Sequence, residues 1–330
     1  MQVTLPIEDP TATTLVTQSV TDHSISSPLS CATNESFLQQ LKDQQRNKTL
    51  VVFLDYDGTL TPIVERPELA ILTPEGRKAI SKLSECCLVS IVSGRSRQDV
   101  QSKVGLPDLL YAGSHGFDIS APVKTIEKYC GKESLDSLIK QEGTSVEHNH
   151  QDLITYQVGG EFIPTLNHLF EELKRQLGDI EGCILENNLF SLSVHYRLIQ
   201  SEEDLERVRQ TVEQLSNEQD GKTKITPGKK VYEIRANYDW NKGKAVMKLL
   251  DFCGLNDSQK VFALFLGDDK TDEDAFKYLK ENGLGIGILV SPQSSERNVC
   301  SSGINTHAKY YLNSPESVKE FLEKLSNYLK

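Results

Sequence analysis

Leu50-Val51-Val52-Phe53-Leu54-Asp55-Tyr56-Asp57-Gly58-Thr59-Leu60 carries five consecutive apolar residues straight into two carboxylates one residue apart. An unbroken apolar run of this length reads as a strand buried on both faces, the pattern of a parallel sheet. Two like charges about 4 Å apart repel by roughly 1 kcal/mol in water, and by several times that where water is partly excluded. A hard divalent cation relieves the repulsion, and Mg2+ binds through one or two carboxylates together with phosphate oxygens. Gly58 lets the chain leave the strand sharply, and Thr59 offers a hydroxyl and a backbone N–H to an anion. The segment predicts a magnesium-assisted phosphoryl-transfer site at the carboxyl end of a strand.

Outward from it, strand and helix signals alternate, which points to βαβ units in an α/β fold. Thr73-Pro74-Glu75 opens a helix, with Thr73 as its cap and Ala79, Ile80 and Leu83 on one face. The run Leu88-Val89-Ser90-Ile91-Val92 leads into Ser93-Gly94-Arg95, and Val261 to Leu266 leads into Gly267-Asp268-Asp269. A last helix begins at Ser314-Pro315, with Val318, Phe321, Leu322, Leu325 and Leu329 at helical spacing. Three apolar strands therefore end in polar clusters, at the edge where open α/β sheets bind ligands.

Between about Pro122 and Arg235 the texture changes. A helix with Ile163, Leu166, Leu169, Phe170 and Leu173 is followed by short strands around Cys183–Glu186 and Phe190–Tyr196. A second helix carries Leu205, Val208, Val212 and Leu215, and the strand Val231–Arg235 closes the segment. The expected organisation is a disordered tail over 1–36, a core made of 37–121 and 236–330, and an inserted α+β domain over 122–235.

The bulk numbers exclude several classes. A formal charge of −11 disfavours a nucleic-acid surface, while a cleft can still hold an anion against net charge. Seven cysteines without a CxxC pair exclude a zinc-finger pattern and fit a reducing compartment. Nothing approaches the roughly 18 apolar residues of a membrane span, and the first 34 residues carry no Lys or Arg to form a leader. These features predict a cytoplasmic protein with no membrane, nucleic-acid or obligate protein partner.

The polar clusters assemble into a mechanism. Asp55 is placed as a nucleophile forming an aspartyl-phosphate, ionised at neutral pH if its pKa stays near 3.9. Asp57 is placed as the acid and base, its pKa raised by crowded carboxylates. Ser93 and Lys242, the latter opening a helix in Trp240-Asn241-Lys242-Gly243-Lys244-Ala245, are placed on the phosphoryl oxygens. Asp55, Asp268 and the backbone carbonyl of Asp57 are placed on Mg2+, with Asp272 beside them. Thr271 to Asp274 also reads as a helix capping box, with Asp274 assigned to capping.

In this order the motifs resemble those of the haloacid dehalogenase phosphatases, and most of all the trehalose-6-phosphate phosphatase branch in its plant-type single-domain form. The resemblance spans roughly residues 37–330. It rests on Leu54 to Ile63, Ser93-Gly94-Arg95-Ser96, Ala112 to Gly116, Glu186-Asn187-Asn188, Val194 to Arg197, Gly228 to Arg235, Trp240 to Ala245 and Gly267 to Phe276. The resemblance is to the form in which no glycosyltransferase domain precedes these motifs. The likeness implies a Rossmann-like haloacid dehalogenase core with a mobile cap, Mg2+ as cofactor and trehalose 6-phosphate as substrate. Substrate contacts are implied at Gly94, Arg95, His115 and Gly116 on the core, and at Glu186, Asn188, Arg197, Lys229, Lys230 and Glu233 on the cap. Leu189 and Ala236 depart from the family pattern, where many relatives carry a basic residue and a proline.

Other sugar phosphates, such as sucrose phosphate or a phosphoglycerate-linked glycoside, fit the same core, because only the cap discriminates among them. A sugar-phosphate sensor would bind without turnover and would not need Asp55, Asp57, Ser93, Lys242 and Asp268 together. A signalling receiver domain has no use for Asp57 or for the insert.

Overall fold

The computed structural model describes residues 30–32, 35–44, 46–140, 144–147, 152–292 and 306–330. Its strands are β1 (Ser30–Cys31), β2 (Thr49–Leu54), β3 (Leu88–Val92), β4 (Leu110–Gly113), β5 (Asp118–Pro122), β6 (Thr144–Glu147) and β7 (Leu153–Gln157), then β8 (Ile184–Asn187), β9 (Ser191–His195), β10 (Thr223–Gly228), β11 (Val231–Ala236), β12 (Val261–Gly267), β13 (Gly285–Val290) and β14 (Tyr310–Leu312).

Among the described residues one large sheet runs β1-β14-β13-β12-β2-β3-β4-β5-β7-β6. Pairing is parallel from β1 through β4 and antiparallel beyond. The apolar run of β2 lies in the middle, between β12 and β3, and alternates between two cores. Leu50, Val52 and Leu54 join a cluster with Phe37, Ile80, Val100 and Phe321. Val51 and Phe53 join another with Ile126, Leu135, Val246 and Phe276. Helices Glu35–Gln44, Pro74–Cys86, Arg97–Val104 and Pro315–Leu329 therefore cover one face. Helices Val123–Cys130, Lys132–Ile139, Lys242–Phe252 and Asp272–Glu281 cover the other. The helix starts follow the sequence. The Thr73 hydroxyl accepts the Gly76 N–H at 3.1 Å with Pro74 in the first turn, and Ser314 and Ser317 form a reciprocal capping box.

A second sheet, β10-β11-β9-β8, is wholly antiparallel. Helices Ile163–Leu177 and Glu202–Asn217 pack on it around Leu166, Leu169, Leu173, Leu192, Val208, Val212 and Ile234. The stretch after 122 departs from expectation. β6 and β7 pair with the large sheet through β5, so residues up to 157 continue the core layer and the change of texture precedes the change of sheet. β10 adds a strand that Pro227 and Gly228 disguise. Of the expected tail, residues 1–29 and 33–34 lie outside the described residues. Ser30 and Cys31 pair with Tyr310 and Tyr311, and a helix already begins at Glu35, so 30–36 is partly structured.

A small apolar seat joins the two sheets. Phe117, Val158, Phe190 and Ala236 are buried there against Trp240, with the Phe117 and Phe190 rings stacked at 5.6 Å. Beside it Asn188 is clamped to the large sheet. The Ser96 N–H donates to its Oδ1 at 3.2 Å, and the Ser114 hydroxyl donates to its carbonyl. Phe190 is wholly buried, so Phe190→Ala should cost about 3–5 kcal/mol. Thermal melts should fall accordingly, and limited proteolysis should cut near 158 and 236 sooner; an unchanged melt and cleavage pattern would show that the seat contributes little.

Candidate active site

The central strands deliver their polar ends to one place. Asp55 follows β2, and its N–H donates to the carbonyl of Leu266 on β12 at 3.0 Å. This register carries Asp268, just past β12, alongside Asp55. Gly58, at φ +89°, turns the chain away, and a Cβ there would meet the Asp268 carboxyl at 2.3 Å. Only glycine permits that approach.

Lys242 opens its helix, with Asn241 as cap accepting the Lys244 N–H at 2.9 Å. Its ammonium is buried and donates to Asp55 Oδ1 at 2.8 Å and to Asp272 Oδ1 at 2.6 Å. Asp272 Oδ2 accepts the N–H groups of Asp268 and Asp269 at 2.9 and 3.0 Å. Asp272 thus braces the loop as well as the lysine. Burial pulls the Lys242 ammonium down, but Asp272 and Asp55 hold it well above its ordinary range.

Asp55, Asp268 and Asp272 each offer a carboxylate oxygen, and these oxygens lie within 4.8 Å of one another. Burial pushes Asp55 up to about 7, with Asp268 and Asp269 adding and Lys242 opposing. Burial and Asp272 lift Asp268 to about 6 against Lys229. A nucleophile at the ordinary carboxylate value, as expected from the sequence, is therefore not what an ion-free cluster provides. Three crowded, desolvated oxygen donors fit a hard divalent cation. Asp269 goes the other way, down to about 2, because Lys242 and the Thr271 donors outweigh burial. Asp269 also does the capping expected of Thr271: its Oδ1 accepts the N–H of Thr271 at 2.8 Å and of Asp272 at 3.2 Å, while Thr271 makes no side-chain cap.

Ser93 is buried after β3, where its hydroxyl accepts the Arg95 N–H at 3.2 Å and its carbonyl accepts the His115 N–H at 2.8 Å. Asp57 has a cation for a neighbour instead of the expected carboxylates. Arg95 grips it with a fork, Nε to Oδ2 at 2.7 Å and Nη2 to Oδ1 at 2.8 Å. Thr59 is fully buried, and its hydroxyl has no partner among the described residues.

Besides Asn188, two charged residues of the second unit reach the core site. Lys229 Nζ lies 2.5 Å from Asp268 Oδ2, and Glu233 Oε2 lies 3.3 Å from His115 Nε2. His115 is buried in a left-handed conformation at φ 58°, its ring over Gly94, where a Cβ would meet it at 2.8 Å. Burial, then Arg235, keep the imidazole below its ordinary value despite Glu233. Arg235, not singled out by the sequence, donates both Nε, at 2.8 Å, and Nη2 to Glu233 Oε2. Gly116 packs against Ala245 of the Lys242 helix. The remaining cap residues are engaged locally. Glu186 meets His195 at 2.7 Å, Arg197 donates to the Lys229 carbonyl at 2.6 Å, and Lys230 lies over the Tyr196 ring at 5.9 Å. Asn188 is wedged at the seat. Asp99, another missed residue, shares Arg95 with Asp57 at 2.9 Å; a polar residue early in the helix after Ser96 was its only signal.

A model of the trehalose-phosphatase family matches residues 53–315. The chain is 40% identical over 288 residues to trehalose 6-phosphate phosphatase RA3 of Zea mays, across 86% of this chain and 71% of that one. It is 36% identical over 293 residues to probable trehalose-phosphate phosphatase J of Arabidopsis thaliana, across 88% and 70%. Among solved structures, the C-terminal domain of C. albicans trehalose-6-phosphate phosphatase aligns with a TM-score of 0.65 at 21% identity, covering 92% of this chain and 99% of that one. A haloacid dehalogenase-like hydrolase from Bacteroides thetaiotaomicron aligns at 0.50 and 14% identity, covering 84% and 97%. These two likenesses establish the fold. No described helix is long and apolar enough to cross a membrane.

The raised carboxyls have a stability consequence. An unfolded Asp titrates near 3.9, so between pH 4 and 7 the folded, ion-free protein holds a proton on Asp55 that the unfolded chain has lost. Stability from this group therefore falls as pH rises through that window. In chelator, raising pH from 5.5 to 8 should lower the melting temperature of the native protein more than that of Asp55→Asn. Parallel melting curves for the two proteins would contradict the burial of an ionisable Asp55.

Proposed function

The chain belongs to the trehalose-phosphatase family, and we propose that it hydrolyses trehalose 6-phosphate to trehalose and inorganic phosphate on the carboxylate cluster at the end of β2 and β12. The observation carrying this reading is the buried Lys242 bridge, which fixes Asp55 beside Asp268 and Asp272.

In the first half-reaction an Asp55 oxygen attacks phosphorus, and the bond to the sugar oxygen breaks. Asp57 gives its proton to the departing alkoxide, releasing trehalose. In the second half, Asp57 takes a proton from a water that attacks the aspartyl-phosphate, freeing phosphate and restoring Asp55. Lys242 has a third N–H beyond those on Asp55 and Asp272, and with the Ser93 hydroxyl it holds the phosphoryl oxygens. Asp55, Asp268 and the Asp57 carbonyl, with Asp272 behind them, would hold Mg2+, whose positive charge would keep Asp55 anionic and neutralise the transferring group.

The unit of residues 158–235 acts as the cap that reads the disaccharide. Lys229 and Glu233 support this, since they alone among the expected cap residues carry charged groups onto the core site. Glu186, Arg197 and Lys230 line the same sheet and its turns, and His115 and Gly94 form the facing wall. Asn188 serves by seating the cap. Hydroxyl groups matched by such side chains exclude ligands that leave buried polar atoms unpaired.

Asp55→Asn should keep the fold and lose turnover to below about one per cent, because an amide cannot attack phosphorus; a higher residual rate in a phosphate-release assay removes Asp55 as nucleophile. With Mg2+ present, trehalose 6-phosphate should be hydrolysed far faster than sucrose 6-phosphate or glucose 6-phosphate. Glu233→Gln should erase that preference while sparing a small aryl phosphate. Equal loss on both kinds of substrate would deny the cap its reading role.

A further inference from the structure

Arg95 stands in a motif expected to contact substrate, yet the structure gives it different work. Its side chain is 9% exposed. Of the five N–H donors on a guanidinium, four are committed to protein acceptors. Nε and Nη2 fork Asp57 at 2.7 and 2.8 Å, Nη2 also donates to the Pro67 carbonyl at 2.9 Å, and Nη1 donates to Asp99 at 2.9 Å. The plane lies 5.5 Å from the Tyr56 ring. Little of the group is left to offer a ligand.

Asp57 presents the opposite picture, with 40% of its side chain exposed. The fork occupies one lone pair on each carboxylate oxygen, and each oxygen keeps a second. A carboxylate held from behind in this way keeps an open side for a leaving oxygen or a water. Side-on pairing also sets the carboxylate plane, which a point charge such as lysine does not do. The third grip, on Pro67, ties that plane to the loop Thr61 to Leu72, and Tyr56 secures the same loop by donating its hydroxyl to the Ala70 carbonyl at 2.9 Å.

Resting on the acid-base reading of Asp57 given above, we propose that Arg95 is a positioning residue that aims the Asp57 carboxylate and makes no contact with substrate. Such a residue should govern the rate of proton transfer and leave phosphate binding alone. A displacement of about 1 Å in a catalytic group costs on the order of a hundredfold in rate.

The test is a double-mutant cycle on the full chain with Mg2+. Arg95→Met and Arg95→Lys are each made alone and in an Asp57→Asn background. Turnover of trehalose 6-phosphate and inhibition by inorganic phosphate are measured for all, and melting curves confirm folding. With Arg95→Met, kcat should fall by about thirtyfold or more, while KM and the phosphate inhibition constant stay within about twofold. Arg95→Lys, which keeps the charge and preserves folding if the Met variant does not, should fall about tenfold. In the Asp57→Asn background either change should cost less than about threefold more, because both residues act through one carboxylate. Weaker phosphate inhibition with kcat kept would make Arg95 a substrate contact and overturn the proposal. So would equal-fold losses in both backgrounds. If Asp57→Asn itself retains the native rate, the acid-base reading fails, an outcome distinct from a failure confined to Arg95.

Discussion

The ammonium of Lys242, sealed between Asp55 and Asp272, is the contact on which the site depends. A buried carboxylate without a partner costs several kcal/mol, and here Asp55, Asp268, Asp269 and Asp272 meet at one sheet edge. Lys242, from the first turn of a helix, offsets most of that crowd, with Lys229 on Asp268 from the outer side. Lys242 ties Asp55, just past β2, to Asp272 at the start of its helix, and Asp272 relays the restraint to the preceding loop by receiving the Asp268 and Asp269 amides. The arrangement is also incomplete by design. The raised pKa of Asp55 and Asp268 marks burial and negative charge that Lys242 and Lys229 do not fully offset, the electrostatic condition in which a further cation gains most.

Much of this was legible in the sequence. The apolar run of β2 announced a strand buried on both faces, and the polar residues at the ends of β2, β3 and β12 announced the site edge, because strand length and period are local properties. What escaped was set by pairing between distant segments. Residues after Pro122 lose the long apolar runs because β6 and β7 pair antiparallel at the margin of the sheet, where alternating, partly polar strands suffice. Their texture resembled the second unit while their hydrogen bonds belong to the first. The site was misread in the same way at Asp57. Proximity in sequence placed it among carboxylates, whereas its carboxylate pairs with Arg95 from the end of another strand. No local spacing rule reports that pairing.

The cap combines a private core with a small shared one. Leucines and valines from two helices and a sheet make it self-sufficient, while its hold on the large sheet rests on Phe190, the Phe117 stack and Asn188. Charged groups also cross between the two units, Lys229 onto Asp268 and Glu233 onto His115, beside that apolar seat.

The sheet order bears on how the protein is made. β2 pairs with β12, and Asp55 meets Lys242 across 187 residues of chain. On a ribosome the strand carrying Asp55 emerges early and waits, its central position in the sheet unfilled, while the whole second sheet is synthesised and has the means to fold around its own core. The edge strand Ser30–Cys31 waits longer still, for Tyr310 and Tyr311. Truncation between Ala236 and Lys242 would keep every strand of the second sheet and leave Asp55 without its lysine partner. Assembly of the carboxylate cluster therefore waits on the segment that carries Lys242, Asp268 and Asp272.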